Sequence, residues 1–313
     1  MVRSEIQQKT TLASDKSTEQ PGVSILIPIY NFTVTDLVKN LTAQAKKLDI
    51  AIEIRCYDDH SSDLFKKRNN EIATNPYVVY RKLLINLGRS KIRNLMAKEA
   101  RYNWLLFIDC DSGVESETFL EDYLKHQDSQ VVIGGRRYQE KPPHNDDYML
   151  HWLVGKTKEE KAASVRTKKP YDSFMFNNVF IRKSVFLDIM LDESITTYGH
   201  EDTKFGYTLK ERKIPVKHID NPVIHIGLDK KEQFLEKTQH AINNIYNIYK
   251  KEGYGSDTKL IKTSKLLKGL GLSKLFLLYY KLNQSKIEEN LLSSEPKVKN
   301  FDLYKLKLFL EKK

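Results

Sequence analysis

Short apolar runs and polar punctuation alternate along the first half of the chain at a steady pitch. Five runs read as strands: 23–30 (VSILIPIY), 51–59 (AIEIRCYDD), 77–84 (YVVYRKLL), 103–111 (NWLLFIDCD) and 131–138 (VVIGGRRY). Between the first four lie segments of helical spacing, such as Leu37, Leu41, Ala45 and Leu48 in the first. Strand, helix, strand at this pitch predicts parallel βαβ units, because a parallel pair needs a crossover of about a dozen residues. The expected fold class is therefore α/β, a mostly parallel, Rossmann-like sheet flanked by helices. The segment 139–172, with its proline pair and charge runs, reads as a long loop with some helix, and loops of that length are often functional. A strand running into a helix follows over 174–186, and 230–313 reads as mostly helical, punctuated by Gly253, Gly255, Gly269 and Gly271. The expected division is a disordered leader over 1–21, an α/β domain over 22–228 and a helical, basic region over 229–313.

Composition narrows this picture. With 313 residues, 40% hydrophobic and 30% charged, the chain is globular and long enough for a sizeable core. No stretch reaches the roughly 18 consecutive apolar residues of a spanning helix. The first twenty residues are polar and lack the apolar centre of a signal peptide, so a cytoplasmic location is expected. Cys56 and Cys110 are too few for a disulfide framework or a zinc site and read most simply as small core residues inside strands. The net charge is +11, and 229–313 carries 18 Lys and no Arg against 10 acids. Within that region Lys259, Lys262, Lys265 and Lys268 recur beside Leu260, Ile261, Leu266 and Leu267. Such a helix either lies on an anionic membrane surface, making the protein peripheral at its inner face, or packs on the α/β domain with its lysines in water.

The chemistry concentrates where strands end. The run WLLFI delivers Asp109 and Asp111 one residue apart, and in open α/β sheets ligands bind outside the carboxyl ends of the strands. Two carboxylates so close repel unless a cation lies between them, and their oxygens suit a hard divalent ion, Mn2+ or Mg2+, that keeps positions open for a phosphate. The plainer reading is a solvated turn. Other termini share the same edge: Pro28, Tyr30 and Asn31 after the first strand, Asp58 and Asp59 after the second, and Asn86 and Gly88 opening a helix that carries Arg89, Lys91 and Arg93. That set suits a nucleoside diphosphate and its metal. A carboxylate such as Asp58 can accept from the imide N–H of uracil, and Arg93 can offer donors to base or phosphate oxygens.

Six pieces in order, VSILIPIYN, CYDDHSSD, NLGRSKIRN, LLFIDCDSG, FNNVFIRKSVF and YGHEDTKFGYTL, make the sequence resemble a family 2 glycosyltransferase of the GT-A fold over 23–227. The resemblance implies an inverting enzyme that moves a sugar from a nucleotide sugar, expected to be UDP-linked, to a saccharide or glycolipid acceptor in surface glycan synthesis. It implies that Pro28 and Asp58 or Asp59 line the base pocket, that Arg93 supports the nucleotide, and that Asp109 and Asp111 hold the ribose and the metal-bound diphosphate. Tyr30, Asn31, Asn86, Gly88, Cys110 and Asn178 join the nucleotide-sugar set. Asp202 would be the general base, Glu201 would hold the acceptor, and His225 would be a further metal ligand. Two departures stand out: His60 occupies a position where many relatives have Gly, and YGH precedes Glu201 instead of a Trp-containing motif.

Each role has a plainer counterpart. Glu201 and Asp202 could merely complement a helix dipole, and His225 between apolar neighbours could be a core histidine. Tyr138, Tyr148 and Trp152 could stack on a sugar or simply pack. Arg136 and Arg137 read as solvated strand-end charges. Two rival functions fit the sequence less well. A nucleic-acid-binding protein would interleave cations and aromatics on one surface, yet the 17 Tyr are scattered, and nucleic acid is not the expected partner. A nucleotidyltransferase would carry a Gly- and Lys-rich loop after its first strand, where this chain reads PIYNFTVTD.

Overall fold

The computed structural model describes residues 20–172 and 174–312. Most of the expected leader, 1–19, lies outside the described residues, and the first strand, β1, runs Gln20–Ile29. The chain then alternates α1 (Thr35–Ala45), β2 (Ile52–Asp58), α2 (Asp63–Arg68), β3 (Val78–Lys82), α3 (Arg89–Glu99) and β4 (Tyr102–Ile108). These strands form the parallel half of a seven-stranded sheet with β1 and β4 at its middle. The continuous apolar runs of β1 and β4 have a simple cause, since helices cover both faces there. Trp104, Leu106 and Ile108 enter one core with Val23, Ile25 and Ile27, while Leu105 and Phe107 enter the core on the opposite face. Burying one such aliphatic side chain contributes about 1.5–3 kcal/mol, so β4 is anchored from both sides before it reaches its acids.

The middle of the chain departs from the expected single strand over 131–138. After β5 (Ser112–Gly113) and α4 (Phe119–Leu124), the run splits into β6 (Val131–Ile133) and β7 (Arg136–Tyr138), which belong to different sheets. The break falls at Gly134 and Gly135. A Cβ on Gly134 would collide with the Tyr123 hydroxyl, and Gly135 has φ +93, which side chains disfavour. The segment 139–172 holds α5 (Met149–Val154), one widened turn over Gly155–Glu159, and α6 (Ala163–Arg166). Next come β8 (Asn178–Arg182), α7 (Lys183–Ile189), α8 (Glu201–Glu211), β9 (Val216–His218) and β10 (Val223–His225). The large sheet is ordered β3-β2-β1-β4-β8-β6-β9, with β8 antiparallel to both neighbours; β5-β10-β7 form a separate small sheet.

The basic region forms α9 (Lys231–Glu252), α10 (Lys259–Gly269), α11 (Ser273–Leu291) and α12 (Val298–Leu310). Helices α9, α11 and α12 share a third core with α5, in which Leu150 and Val154 join Phe234, Tyr280, Ile287 and Phe301, while Ile261 of α10 packs with Ile242, Ile245 and Phe309. Among the described residues no helix is long and apolar enough to cross a membrane.

Candidate active site

One cavity of about 520 Å³ opens at the carboxyl edge of the parallel strands. Its first wall comes from the loops after β1 to β4. Pro28, Tyr30, Asn31, Asp59, Asn86, Gly88, Arg93, Asp109, Cys110 and Asp111 all line it, as the sequence led us to expect. The loops are tied to one another. Asn31 receives the Ser62 N–H on Oδ1 at 2.8 Å and donates its own N–H to Ser61 Oγ at 2.9 Å. Asp59 accepts from Leu87 N at 2.6 Å and Gly88 N at 3.0 Å, and Asn86 Nδ2 donates to the Asp59 carbonyl at 2.9 Å. Burial pushes the Asp59 carboxyl up despite those two amides. Asn31 and His60 both have positive φ, +49 and +64. The left-handed backbone at position 60 is the conformation that favours Gly, and this chain adopts it with His60.

Two expected nucleotide-sugar residues are not on the cavity. Asp58 is fully buried and accepts the Ser61 N–H at 2.7 Å, so it shapes the loop behind Asp59. Asn178 is fully buried too; its amide donates to the Gly135 and Asn221 carbonyls at 2.9 and 2.8 Å and accepts from the Tyr123 hydroxyl at 2.5 Å. It closes the β6–β7 break, with both of its amide donors engaged there. Cys110, expected inside a strand, lies beyond the end of β4; burial pushes its thiol up to about 12.

Arg93 is the hinge of the charged wall. It is buried, lies 2.5 Å from Asp109 Oδ1 and 3.9 Å from Glu201 Oε1, and Arg89 stands 3.8 Å from the same Glu201 oxygen. Burial opposes the Arg93 charge, but Asp109 and Asp202 outweigh it and raise its affinity for the proton. Glu201 and Asp202 begin α8 behind this pair, and neither lines the cavity. Asp202 accepts the Phe176 N–H at 3.1 Å on one oxygen while its other oxygen is buried without a partner. Burial, and then the neighbouring Glu201 charge, push the Asp202 carboxyl up to about 7.

At the other side Asp111 meets His225, with Oδ2 and Nδ1 3.6 Å apart. Burial works against the Asp111 charge, but His225, Arg136 and Arg89 prevail and hold the carboxyl down at about 2. Asp111 Oδ1 and His225 Nε2 are both buried without a hydrogen-bond partner. Gly227 makes the close approach feasible, since a Cβ there would lie 2.5 Å from Asp111 Cβ. Two orphaned donor atoms on one carboxylate and one imidazole fit a divalent ion. Among the described residues no group of three or more such side chains could hold a metal unaided, so substrate oxygens and water would have to complete the shell.

The second wall contains residues that sequence reasoning discounted or missed. Arg136 is not a solvated strand-end charge: it faces the cavity and pairs with Glu159 at 2.8 Å. Glu159 also accepts from the Tyr138 hydroxyl at 2.6 Å, and Tyr138 is itself packed and only 1% exposed. Burial resists the Glu159 charge, yet Arg136 and Tyr138 bring its carboxyl to about 2. His151 accepts the Asp229 N–H at 2.8 Å and stacks on Phe234, 4.4 Å between centroids. Burial, then His225, lower His151 to about 4, so it is neutral near pH 7. Tyr198 of the YGH motif carries Arg89 and Lys237 over its ring at 4.5 and 5.3 Å. Trp152 points elsewhere, donating to the Gln139 carbonyl at 2.8 Å. Helix α9 fixes the approach to α8: Asn244 Nδ2 lies 2.9 Å from the Gly199 carbonyl and 3.1 Å from that of Tyr198, and Gly199 packs where a Cβ would come within 2.9 Å of Ala241. Arg136 and Tyr198 lay inside segments the sequence had singled out, but nothing local marked His151, Glu159, Phe234 or Lys237 as cavity residues.

Comparison with known proteins adds the family. The profile of "Glycosyl transferase family 2" matches residues 24–188. Chondroitin synthase from Escherichia coli is 24% identical over 220 residues, which are 60% of this chain and 32% of that protein; the chain thus spans about a third of that relative's length. The mannosyltransferase PcManGT from Pyrobaculum calidifontis, solved with GDP-Man and Mn2+, superposes with a TM-score of 0.56 at 12% identity, over 92% of this chain and 86% of that one. The 1–349 portion of S. aureus TarS aligns at 17% identity with a TM-score of 0.49, over 91% and 90% of the two chains. With the profile covering more than half of the 313 residues and the sheet laid out as above, the chain belongs to glycosyl transferase family 2 and has the GT-A fold.

Proposed function

We propose that the protein transfers a sugar from a nucleoside diphosphate donor, a UDP-sugar, to a hydroxyl of a saccharide or glycolipid acceptor, with inversion at the anomeric carbon. The observation that carries this reading is the convergence of Arg93, Asp109 and the Asp111–His225 pair on one cavity at the sheet's carboxyl edge. Tyr30, 56% exposed on the cavity wall, offers a face for the base, and Asp59 lies in the same loop cluster. Asp109, already held by Arg93, presents its carboxylate to the ribose hydroxyls. Arg89 and Arg93 supply positive charge for the diphosphate, and a helix-opening Gly88 keeps the backbone low beside it.

Asp111 and His225 would hold Mn2+ or Mg2+, which when bound supplies charge to stabilise the departing diphosphate. Proton transfer belongs to the acids at the start of α8. A carboxylate at about 7 is matched to taking a proton from a hydroxyl near neutral pH; because Asp202 stands off the cavity lining with its unpartnered oxygen buried, this role requires the start of α8 to open as the acceptor binds. Glu201, buried 3.8 Å from Arg89 and 3.9 Å from Arg93, positions those two arginines beside the acceptor side of the cavity. Direct attack on an α-linked donor gives a β-linked product. The test is calorimetric: UDP should bind with Mn2+ present and far more weakly in a chelator. Equal affinity under both conditions removes the metal role, and failure to bind any nucleoside diphosphate removes the donor reading altogether.

A further inference from the structure

Helices α10 and α11 form a hairpin whose outer side the rest of the described molecule leaves uncovered. α11 packs through Tyr280, Ile287 and Leu291, which are buried. On its other side Leu275, Leu278, Tyr279 and Leu282 recur at i, i+3, i+4 and i+7 and are 50–77% exposed. A second apolar stripe on a helix that already has one is unneeded for packing, and contiguous exposed apolar surface marks an interaction site. Leu266, in the last turn of α10, and Leu270, at its C-cap, are each 61% exposed as well.

The charges around this stripe decide its occupant. From Lys259 to Lys286 the sequence holds seven lysines and no Asp or Glu. Lys268, Lys274, Lys281 and Lys286 are exposed, and the first three flank the leucines. Pairing this face with a second copy would bring lysines against lysines, whereas an anionic headgroup layer neutralises them while the leucines enter the acyl boundary. We propose that the α10–α11 hairpin docks the protein flat on an anionic lipid surface. The inference stands apart from the donor reading, because the hairpin shares no residue with the cavity and docking needs no turnover.

Sedimentation of the full chain with vesicles tests it. Binding is expected to vesicles of phosphatidylcholine mixed with phosphatidylglycerol, to weaken as salt is added, and to be absent with phosphatidylcholine alone. Changing Lys268, Lys274 and Lys281 together to Gln should lower affinity for the anionic vesicles roughly a hundredfold. Leu278→Ser with Leu282→Ser should weaken binding at low salt as well, with thermal unfolding unchanged because both positions are exposed. The proposal falls if neutral and anionic vesicles are bound alike or neither is bound. It falls equally if the leucine changes leave vesicle binding intact and instead turn a dimer into a monomer in sedimentation velocity, since the face would then belong to a second copy.

Discussion

The two walls of the cavity are built in opposite ways. The first gathers the ends of β1, β2 and β4 and the start of α3, each functional group lying within a few residues of a strand or helix end. The second is assembled from distant pieces: His151 meets Asp229 across 78 positions, and Asn244 holds Gly199 across 45. A parallel sheet delivers the first wall automatically, because every parallel strand ends at the same edge. Nothing of that kind organises the second, which depends on how the helical region packs back over the domain. The comparison predicts that damage to the first wall is felt as lost donor binding, and damage to the second as lost transfer or lost stability.

The largest effect should come from Asp202→Asn, which keeps the size of the side chain and removes the base. Transfer is expected to fall by roughly 10²–10⁴ while UDP affinity measured by calorimetry stays level. The same carboxyl sets the pH response. With its proton affinity raised to about 7, Asp202 is protonated below that pH and cannot accept, so the wild-type rate should climb with pH and level off above about 7. In the Asn variant that limb should vanish. A normal rate in Asp202→Asn would hand the role to Glu201.

In stability the largest effect should come from Arg136→Met, which leaves Glu159 facing the cavity wall without its cation. Breaking this part-buried pair should cost about 1–2 kcal/mol in a denaturation curve, whereas the exposed neighbour Arg137→Met should stay within about 0.5 kcal/mol. Equal, small effects at both positions would mean that the second wall does not rely on this pair.

Asp111→Asn probes the junction of the two walls. Mn2+-dependent UDP binding should weaken by on the order of 10–100-fold, while the binding that remains in a chelator should hardly change. The smallest effect is expected from Asn244→Ala, which frees the carbonyls before α8. A loss of about 1 kcal/mol in stability is expected, with the rate lowered and nucleotide affinity untouched. If nucleotide affinity fell as much as the rate, the separation of the two walls would fail.

The sequence by itself determined the first wall and the architecture under it. The runs at β1 and β4 are apolar on both faces because helices cover both sides, and that pattern with helical spacing between the strands already dictates a parallel sheet whose ends share an edge. Asp109, Asp111, Arg93 and Asp59 could therefore be placed on one cavity from order alone. Asp58 and Asn178 could not be told from ligand-facing residues, because burial and hydrogen-bond engagement depend on neighbours far away in the chain, such as Tyr123 and Asn221 for Asn178. The split of 131–138 into two sheets, the turn of Arg136 into the cavity and the arrival of His151, Glu159, Phe234 and Lys237 were likewise decided only by tertiary structure. Local pattern encodes which face of an element is covered. Which distant segment covers it is fixed by packing, where two glycines at 134 and 135 let the backbone turn and a shared apolar core draws α9 against α5.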